Sequence, residues 1–346
     1  MGRSMEKTSR KHRAITAVLS RPPLSLLARL AQPSLLIPYY HLVSDDERPH
    51  IKHLFAHKSV AQFEHDIDFL ARNYRPVSMQ DLLDALPAGR TVPEKCFHVT
   101  FDDGFSEMHD IVAPILSRKG IPATFFLNSA FIDNRELCHH HKASVLAEAV
   151  CKRPAADLPA PFRKRLNNGS AEQDGITGFL VNVAYEDRGL LDELAAIVDV
   201  DFSDYLARQR PYLTSDDVRS LIRQGFAVGG HSVDHPLFAG ISLPEQLRQT
   251  VESVKFIRER FRVGYGVFAF PQSDRAVTRE YFSRLAGTGM VDLTFGTGGM
   301  MTDGVATNLQ RFSMEYPPLP AEDIIAYQTA RRLRKIISGR AKIERE

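Results

Sequence analysis

The stretch Cys96-Phe97-His98-Val99-Thr100-Phe101-Asp102-Asp103-Gly104-Phe105 decides how the rest of the chain is read. Its first six residues are mostly apolar, aromatic or β-branched, the composition of a buried strand. Two acids and a glycine follow at once, so the strand delivers charge at its carboxyl end and then turns. Residues 107–119 read as a helix stopped by Lys119-Gly120. Ala123-Thr124-Phe125-Phe126-Leu127 is a second buried strand. Strand, helix and strand in this order predict parallel strands joined by a crossover helix.

The alternation extends both ways. Upstream, Leu35–Tyr40 is a short apolar run ending at His41, and Phe63, Ile67, Leu70 and Tyr74 mark a helix over 61–74. Ser78 caps a further short helix reaching Leu86. Downstream the rhythm stops at 133–213, a stretch with a histidine cluster, prolines, an Asn-Asn-Gly turn and two expected helices. Such a length without alternation reads as an insertion on a loop, a candidate lid. The pattern then resumes. Ser215 caps a helix to Gln224, Phe226–Gly229 is a strand, and Pro244–Phe261 is a helix with proline first. Strands are expected at Val267–Phe270, Val291–Phe295 and Leu309–Ser313, with helices at 278–286 and Ala321–Ile337. The count predicts an α/β fold, an irregular (β/α) barrel of about seven strands with a helical insertion. The expected organisation is a basic lead over 1–34, a barrel domain over 35–320 interrupted at 133–213, and a carboxyl-terminal helix and basic tail over 321–346.

A hydrophobic content of 43% over 346 residues is enough for a large core, and a net charge of +2 gives no reason to expect nucleic acid. Cys96, Cys138 and Cys151 form no CxxC pair, which argues against a disulfide framework. The basic amino terminus lacks a long apolar stretch behind it, so neither a signal peptide nor a membrane span is expected, and the reading is cytoplasmic.

Asp102 and Asp103 fall where barrel enzymes carry their sites, at the carboxyl rim of the strands. Adjacent strand residues face opposite ways, so one carboxylate can bind a metal while the other faces an attacking water. Taken alone, Asp-Gly is as well read as a plain turn. The second signal is Gly229-Gly230-His231-Ser232-Val233-Asp234-His235. The glycines permit a sharp turn, and histidines four apart share one face of a helical turn and can hold one ion. Together the motifs offer an Asp–His–His ligand set plus a spare carboxylate, with a position left open for water.

TFDDG at 100–104 followed by HSxxH at 231–235 resembles the polysaccharide deacetylase family, the NodB-type domain of carbohydrate esterase family 4. The resemblance runs from about Leu36 to Phe312 without 133–213. It includes YYH at 39–41, FEHDIDFLARNYRPVS at 63–78 and IPATFFL at 121–127. It implies a metal-dependent hydrolase that removes N-acetyl groups from an N-acetylated amino sugar in a glycan or glycan precursor, with zinc the first choice of divalent metal. By this resemblance Asp102 is the general base and Asp103, His231 and His235 are the metal ligands. Phe268–Asp274 is similar to the family's third motif, which gives Pro271 and Gln272 a substrate-binding role, Gln272 through its backbone N–H to the oxyanion.

Two departures stand out. Phe268 occupies the place of the arginine that orients the catalytic aspartate in the family. Leu309-Gln310-Arg311 replaces a Leu-x-His motif whose histidine is the general acid, and a guanidinium with a pKa above about 12 cannot donate a proton at neutral pH. His41 is the substitute general acid the sequence offers. The other histidines read blandly. Cys138-His139-His140-His141 is expected to be a polar piece of the insertion, and His50, His53 and His57 an exposed flank. The Arg331–Lys335 run reads as a solvated helix face, with contact to anionic lipid, as at a membrane periphery, or to phosphate as the alternative. Two competing functions remain open: hydrolysis of another C–N bond, as in a cyclic amide or formyl group, and glycan binding by a catalytically weakened barrel.

Overall fold

The computed structural model describes residues 32–154, 157–165 and 173–346. Most of the expected basic lead, and the Asn-Asn-Gly turn at 167–169, lie outside the described residues. Eight parallel strands form one sheet: β1 (Pro38–Tyr40), β2 (Val99–Phe101), β3 (Ala123–Leu127), β4 (Ala227–Gly230), β5 (Val267–Ala269), β6 (Leu293–Gly296), β7 (Asn308–Gln310) and β8 (Phe312–Ser313). Their order is β7-β6-β5-β4-β3-β2-β1-β8, all pairings parallel. The edge strands β7 and β8 are separated only by Arg311. The first pairs Asn308 with Thr294 on β6, and the second pairs Phe312 with Pro38 on β1. One segment therefore clasps both edges and nearly closes the sheet into a barrel. The single strand expected over 309–313 is broken at Arg311, because its halves bond to neighbours on opposite sides.

The run 96–101 is broken as well. Cys96–Phe97 joins a small sheet with Leu35–Leu36 and Arg75–Pro76, while Val99–Phe101 enters the barrel. His98 sits at the step, fully buried, its ring between Val77 O and Thr124 Oγ1 at 2.8 Å each.

Twelve helices are described: α1 (Val60–Asn73), α2 (Met79–Ala85), α3 (Ala113–Lys119), α4 (His139–Cys151), α5 (Ala160–Arg165), α6 (Gln173–Val181), α7 (Gly189–Ile197), α8 (Phe202–Gln209), α9 (Ser215–Arg223), α10 (Leu243–Phe261), α11 (Arg279–Gly287) and α12 (Ala321–Ile337). Capping explains several starts. Ser59 with Gln62, Ser78 with Asp81 and Thr214 with Asp217 each form a reciprocal capping box, so the cap of α9 is Thr214 and not Ser215. Among its described residues the stretch 133–213 holds five helices where two were expected. Helix α4 buries His139, His141, Ser144, Val145, Leu146 and Val150 around most of its circumference, which erases the one-sided pattern that sequence reading depends on. The ends of the insertion meet: Asp133 N donates to Leu213 O at 3.0 Å, and Asn134 and Tyr212 exchange two hydrogen bonds.

Aromatic residues fill the barrel's flank. Phe101 stacks between Tyr40 and Phe125 with ring centroids 5.7 and 5.2 Å apart. Each ring so buried contributes about 2 kcal/mol by area alone. The polar groups are left to the carboxyl rim. Among the described residues, no helix is long and apolar enough to cross a membrane.

Candidate active site

The residues that directly follow the strands gather at the carboxyl rim. His41 follows β1, Asp102 follows β2, Asn128 follows β3, His231 follows β4, Phe270 follows β5, Thr297 follows β6 and Arg311 follows β7. Parallel strands start on the same side, so their ends converge on one mouth. Asp102 is 2% exposed and continues the direction of β2. Asp103 and Gly104 then take left-handed conformations, φ 72° and 70°, which turn the second carboxylate toward the mouth. Such backbone costs an aspartate of order 1 kcal/mol and persists where the surroundings hold it. Leu213, at the end of the insertion, holds it by donating to Gly104 O at 2.8 Å.

His231 and His235 do converge, but not on a helical turn. Residues 231–236 form a loop with Ser232 and His235 left-handed, φ 71° and 66°. Ser232 Oγ accepts from His235 N at 2.9 Å, Asn128 Nδ2 donates to His231 O, and Gln249 Oε1 accepts from Val233 N at 2.8 Å. These bonds shape the loop that a helix was expected to supply.

The ligand atoms sit close together. His231 Nε2 is 3.5 Å and His235 Nε2 3.3 Å from Asp103 Oδ1, and the three groups offer atoms all within 4.8 Å of one another. His231 Nδ1 is 2.8 Å from Ala269 O, which fixes the proton there and leaves the buried Nε2 without a hydrogen-bond partner. Burial holds His231 below the usual histidine range, and burial with neighbouring imidazoles holds His235 well below it. Neutral imidazoles beside a carboxylate are the donor set a divalent cation requires, so these residues fit one.

Asp102 has a partner the sequence reading did not find. Arg311, 0% exposed, lies across the barrel mouth with Nη1 and Nη2 at 2.7 and 2.8 Å from the two Asp102 oxygens. Its guanidinium also reaches Thr100 Oγ1 at 3.1 Å and lies over the rings of Tyr39 and Phe126, 4.9 and 5.3 Å from their centroids. Burial alone would raise the Asp102 pKa, but Arg311, helped by His231, keeps it below the ordinary carboxylate value. Asp103 has no such fork, and burial raises it. Phe268 is buried in an apolar cluster with Phe238 and Phe270, so the strand that lacks the family's arginine packs hydrophobically instead. The signal in the sequence was an arginine inside an expected buried strand, which demands a charged partner.

His41 also has a carboxylate. Its Nδ1 lies 2.5 Å from Glu315 Oε2, while Glu315 Oε1 accepts from the backbone N–H of His41 and Leu42 at 2.8 and 3.0 Å. Burial pulls the ring toward neutrality, but Glu315 overrides it and lifts the pKa to about 9. Glu315 stands two residues beyond β8, beside β1 in the sheet, and nothing local in the sequence marks it.

Asp102, Asp103, His41 and His235 line one cavity of about 430 Å³ with Tyr39, Phe270, Gln272 and Thr297. Gln272, left-handed at φ 57°, presents its side chain there, whereas Pro271 is buried behind it and does not line the cavity. The insertion supplies another wall through His140, Val181 and Asn182. Of its histidines, expected only as a polar piece, His139 and His141 are buried, and His141 Nδ1 is 2.5 Å from Tyr212 Oη. His50 is buried too, 2.8 Å from Tyr205 Oη, and not on an exposed flank. Tyr185 ties the insertion to the histidine loop through a 2.5 Å bond to Asp234.

Buried carboxylates beside neutral imidazoles at the carboxyl rim of a parallel barrel define a barrel hydrolase by class. The sequence profile described as polysaccharide deacetylase matches residues 89–291, more than half of the chain's 346 residues. The chain belongs to the polysaccharide deacetylase family, hydrolases of carbon–nitrogen bonds other than peptide bonds. Among curated proteins no sequence match is significant. The fold is similar to that of the Streptococcus pyogenes deacetylase PplD in complex with acetate, at 12% identity and a TM-score of 0.54, over 85% of this chain and 97% of that one. It is also similar to IcaB from Ammonifex degensii, at 16% identity and a TM-score of 0.51, over 86% and 97% of the two chains.

Proposed function

We propose that the protein hydrolyses the acetamide of an N-acetylated amino sugar, in a glycan or glycan precursor, with a divalent cation held by Asp103, His231 and His235. The observation that carries this reading is the buried, unpartnered His231 Nε2 facing Asp103, beside a second carboxylate held ionised by Arg311. Zinc is the first choice, because two imidazoles and one carboxylate suit it and leave a position open. When bound, such an ion polarises the acetamide carbonyl and makes water a better nucleophile.

The chain's own residues divide the proton work. Asp102 takes the proton of the attacking water, and its bidentate contact with Arg311 both ionises and aims it. The backbone N–H of Gln272 donates to the developing oxyanion. His41, kept protonated by Glu315, donates to the departing amine. The insertion walls the pocket and limits which sugars enter. Hydrolysis of a formyl group or cyclic amide remains compatible with the same residues, whereas glycan binding alone leaves the Asp102–Arg311 and His41–Glu315 pairs without a purpose.

The test is acetate release from a panel of N-acetylated monosaccharides, oligosaccharides and glycan precursors, with and without chelator. Release that chelator stops and added zinc restores is expected. Release of formate or ring-opened product, or release indifferent to chelator, sinks the proposal.

A further inference from the structure

A second cavity, of about 350 Å³, lies directly beside the first. Thr297 lines both, and the consecutive residues Gln272 and Ser273 line one each, so a single turn of loop separates them. Its character is different. Arg275, Arg331, Lys335, Arg340 and Lys342 all line it. The one acid among its lining residues, Asp274, is 2% exposed and is engaged by Arg345, which it shares with Asp303, and by Asn308 and Gln310 at 3.0 and 2.7 Å, so five cations face one occupied carboxylate. Nearby, Glu344 pairs with Lys342 at 3.3 Å, with both side chains more than half exposed, a weak contact that leaves the ammonium available. The cations come from three separate regions of chain, the loop after β5, helix α12 and the segment 340–343 that includes the strand Lys342–Ile343. The buried Arg345 lattice pins the last of these against Thr302–Asp303. A solvated helix face does not gather charge from three elements around a concavity, and a cleft lined by one sign of charge concentrates anions.

We infer that this cavity is a phosphate subsite, and that the substrate is an N-acetylated sugar carrying a phosphate or diphosphate ester. The inference rests on the deacetylase reading of the adjoining cavity and deepens it. The sugar's acetamide sits at Asp102 and Asp103, and its phosphoryl groups cross the Thr297 wall to meet the cations. Arginine forks and lysine ammonium groups suit phosphate oxygens, and diphosphate esters offer several. Two sources share this chemistry, a soluble nucleoside-diphosphate sugar and a lipid diphosphate sugar. Ile336 and Ile337, 44% and 79% exposed and next in sequence to the cavity-lining Lys335 at the end of α12, give the lipid form an apolar landing place.

The test compares a neutral N-acetylhexosamine oligosaccharide, a nucleoside-diphosphate N-acetylhexosamine and a polyprenyl-diphosphate N-acetylhexosamine in detergent, with wild type and the double variant R331Q/K335Q. Neither residue touches the catalytic cavity, and both side chains are partly solvated, so folding is expected to survive. A phosphorylated substrate is expected to exceed the neutral one in kcat/KM. The double variant should lose roughly 10–100-fold on it, mostly in KM, with the neutral substrate unchanged. Turnover of the soluble or the lipid form identifies the source. Inorganic pyrophosphate binding, followed by calorimetry, separates this inference from its foundation. Pyrophosphate held by wild type and lost in R331Q/K335Q supports the subsite even if no substrate releases acetate, in which case the deacetylase reading alone fails. Equal kcat/KM for neutral and phosphorylated sugars, or equal losses on both in the double variant, overturns it, as does pyrophosphate binding that the variant leaves intact.

Discussion

Replacing Arg311 with methionine tests the charge arrangement at the barrel mouth. The substitution keeps roughly the length and apolar bulk of the stem but removes the fork that holds Asp102. With the pair 0% and 2% exposed, the orphaned carboxylate has no water to turn to. Removing one partner of such a pair costs about 3–5 kcal/mol. Scaled by the usual unfolding entropy per residue to a chain of 346, that is a fall in Tm of about 4–7 °C. The cost depends on pH. In the native protein the Asp102 pKa is depressed, so its ion pair stabilises fully above the ordinary carboxylate value of 3.8 and is lost as pH falls through the lower folded value. In R311M burial is opposed only by His231 and His41 and raises that pKa, so the ionised carboxylate destabilises at neutral and alkaline pH and is relieved on acidification. The Tm deficit is therefore expected to be larger at pH 8 than at pH 5. Activity follows the opposite sense, because a base must be ionised. The acid limb of kcat/KM should move to higher pH, with a loss of about 10²–10⁴-fold at pH 7. R311K, which keeps the charge but not the fork, should recover the limb better than the rate. Thermal melts at the two pH values and acetate release from pH 5 to 9 measure both. An acid limb that stays in place, with a Tm deficit independent of pH, would refute the reasoning.

Glu315→Gln removes the charge that lifts His41 to about 9 and leaves burial to pull the ring down. A cation held nearby opposes the ring's charge, so the wild-type alkaline limb lies at or below about 9, and the variant's limb should fall below it while activity at pH 6 changes less. A limb that does not move removes His41 as the acid. The same raised pKa contributes stability below 6.5 that is lost as pH rises through about 9, so E315Q should melt closer to wild type at pH 9.5 than at pH 6. His235→Ala should lower the metal content of the purified protein at least tenfold and abolish turnover with an unchanged circular dichroism spectrum; wild-type metal content would show the ligand is misassigned. Gly229→Ala puts a Cβ 2.7 Å from Val267 O and 2.8 Å from Phe126 Cδ1 inside the barrel wall, a clash expected to cost about 1–3 kcal/mol or more, whereas Gly178→Ala, with nothing within 4 Å on helix α6, should be neutral or stabilising. Equal melting temperatures for the two variants would contradict that packing.

The barrel was legible because parallel strands buried on both faces leave near-continuous apolar runs, and Ala123–Leu127, buried at every position, is read without error. Asp102, Asp103, His231 and His235 were legible because each motif is contiguous and follows such a run. The individual helices of the insertion were not, since α4 is buried nearly all round and its starting turn is made of histidines. Glu315 and Arg345 were missed for a different reason. Each meets its partner across the closure of the barrel or the return of the carboxyl-terminal strand, and that pairing exists only once the chain has folded. The basic tail expected over 321–346 contains, in Arg345, one of the most deeply bonded cations described in the molecule.

The departures from the family pattern are better understood as a displacement than as erosion. The arginine missing at Phe268 on β5 is supplied by Arg311, two strands further round, where the family's histidine would stand. In the proposed mechanism the proton donor that arginine displaces is supplied by His41 on β1, the strand that β8 joins immediately after Arg311. Neighbouring strands lie only about 4.8 Å apart, so a long side chain at one strand end reaches a point served by another. What the barrel mouth requires is a guanidinium on the first aspartate and an ionisable ring across from it, and either can arrive from any strand whose end faces the axis. The two changes are coupled. An arginine at 311 with no histidine at 41 leaves the amine without an acid, and a histidine at 41 with no arginine at 311 leaves Asp102 buried and unpaired. Restoring the pattern at one position alone, as in Arg311→His, should therefore fail, losing the base without gaining a useful acid. Activity in that variant comparable to wild type would mean that Asp102 never depended on Arg311.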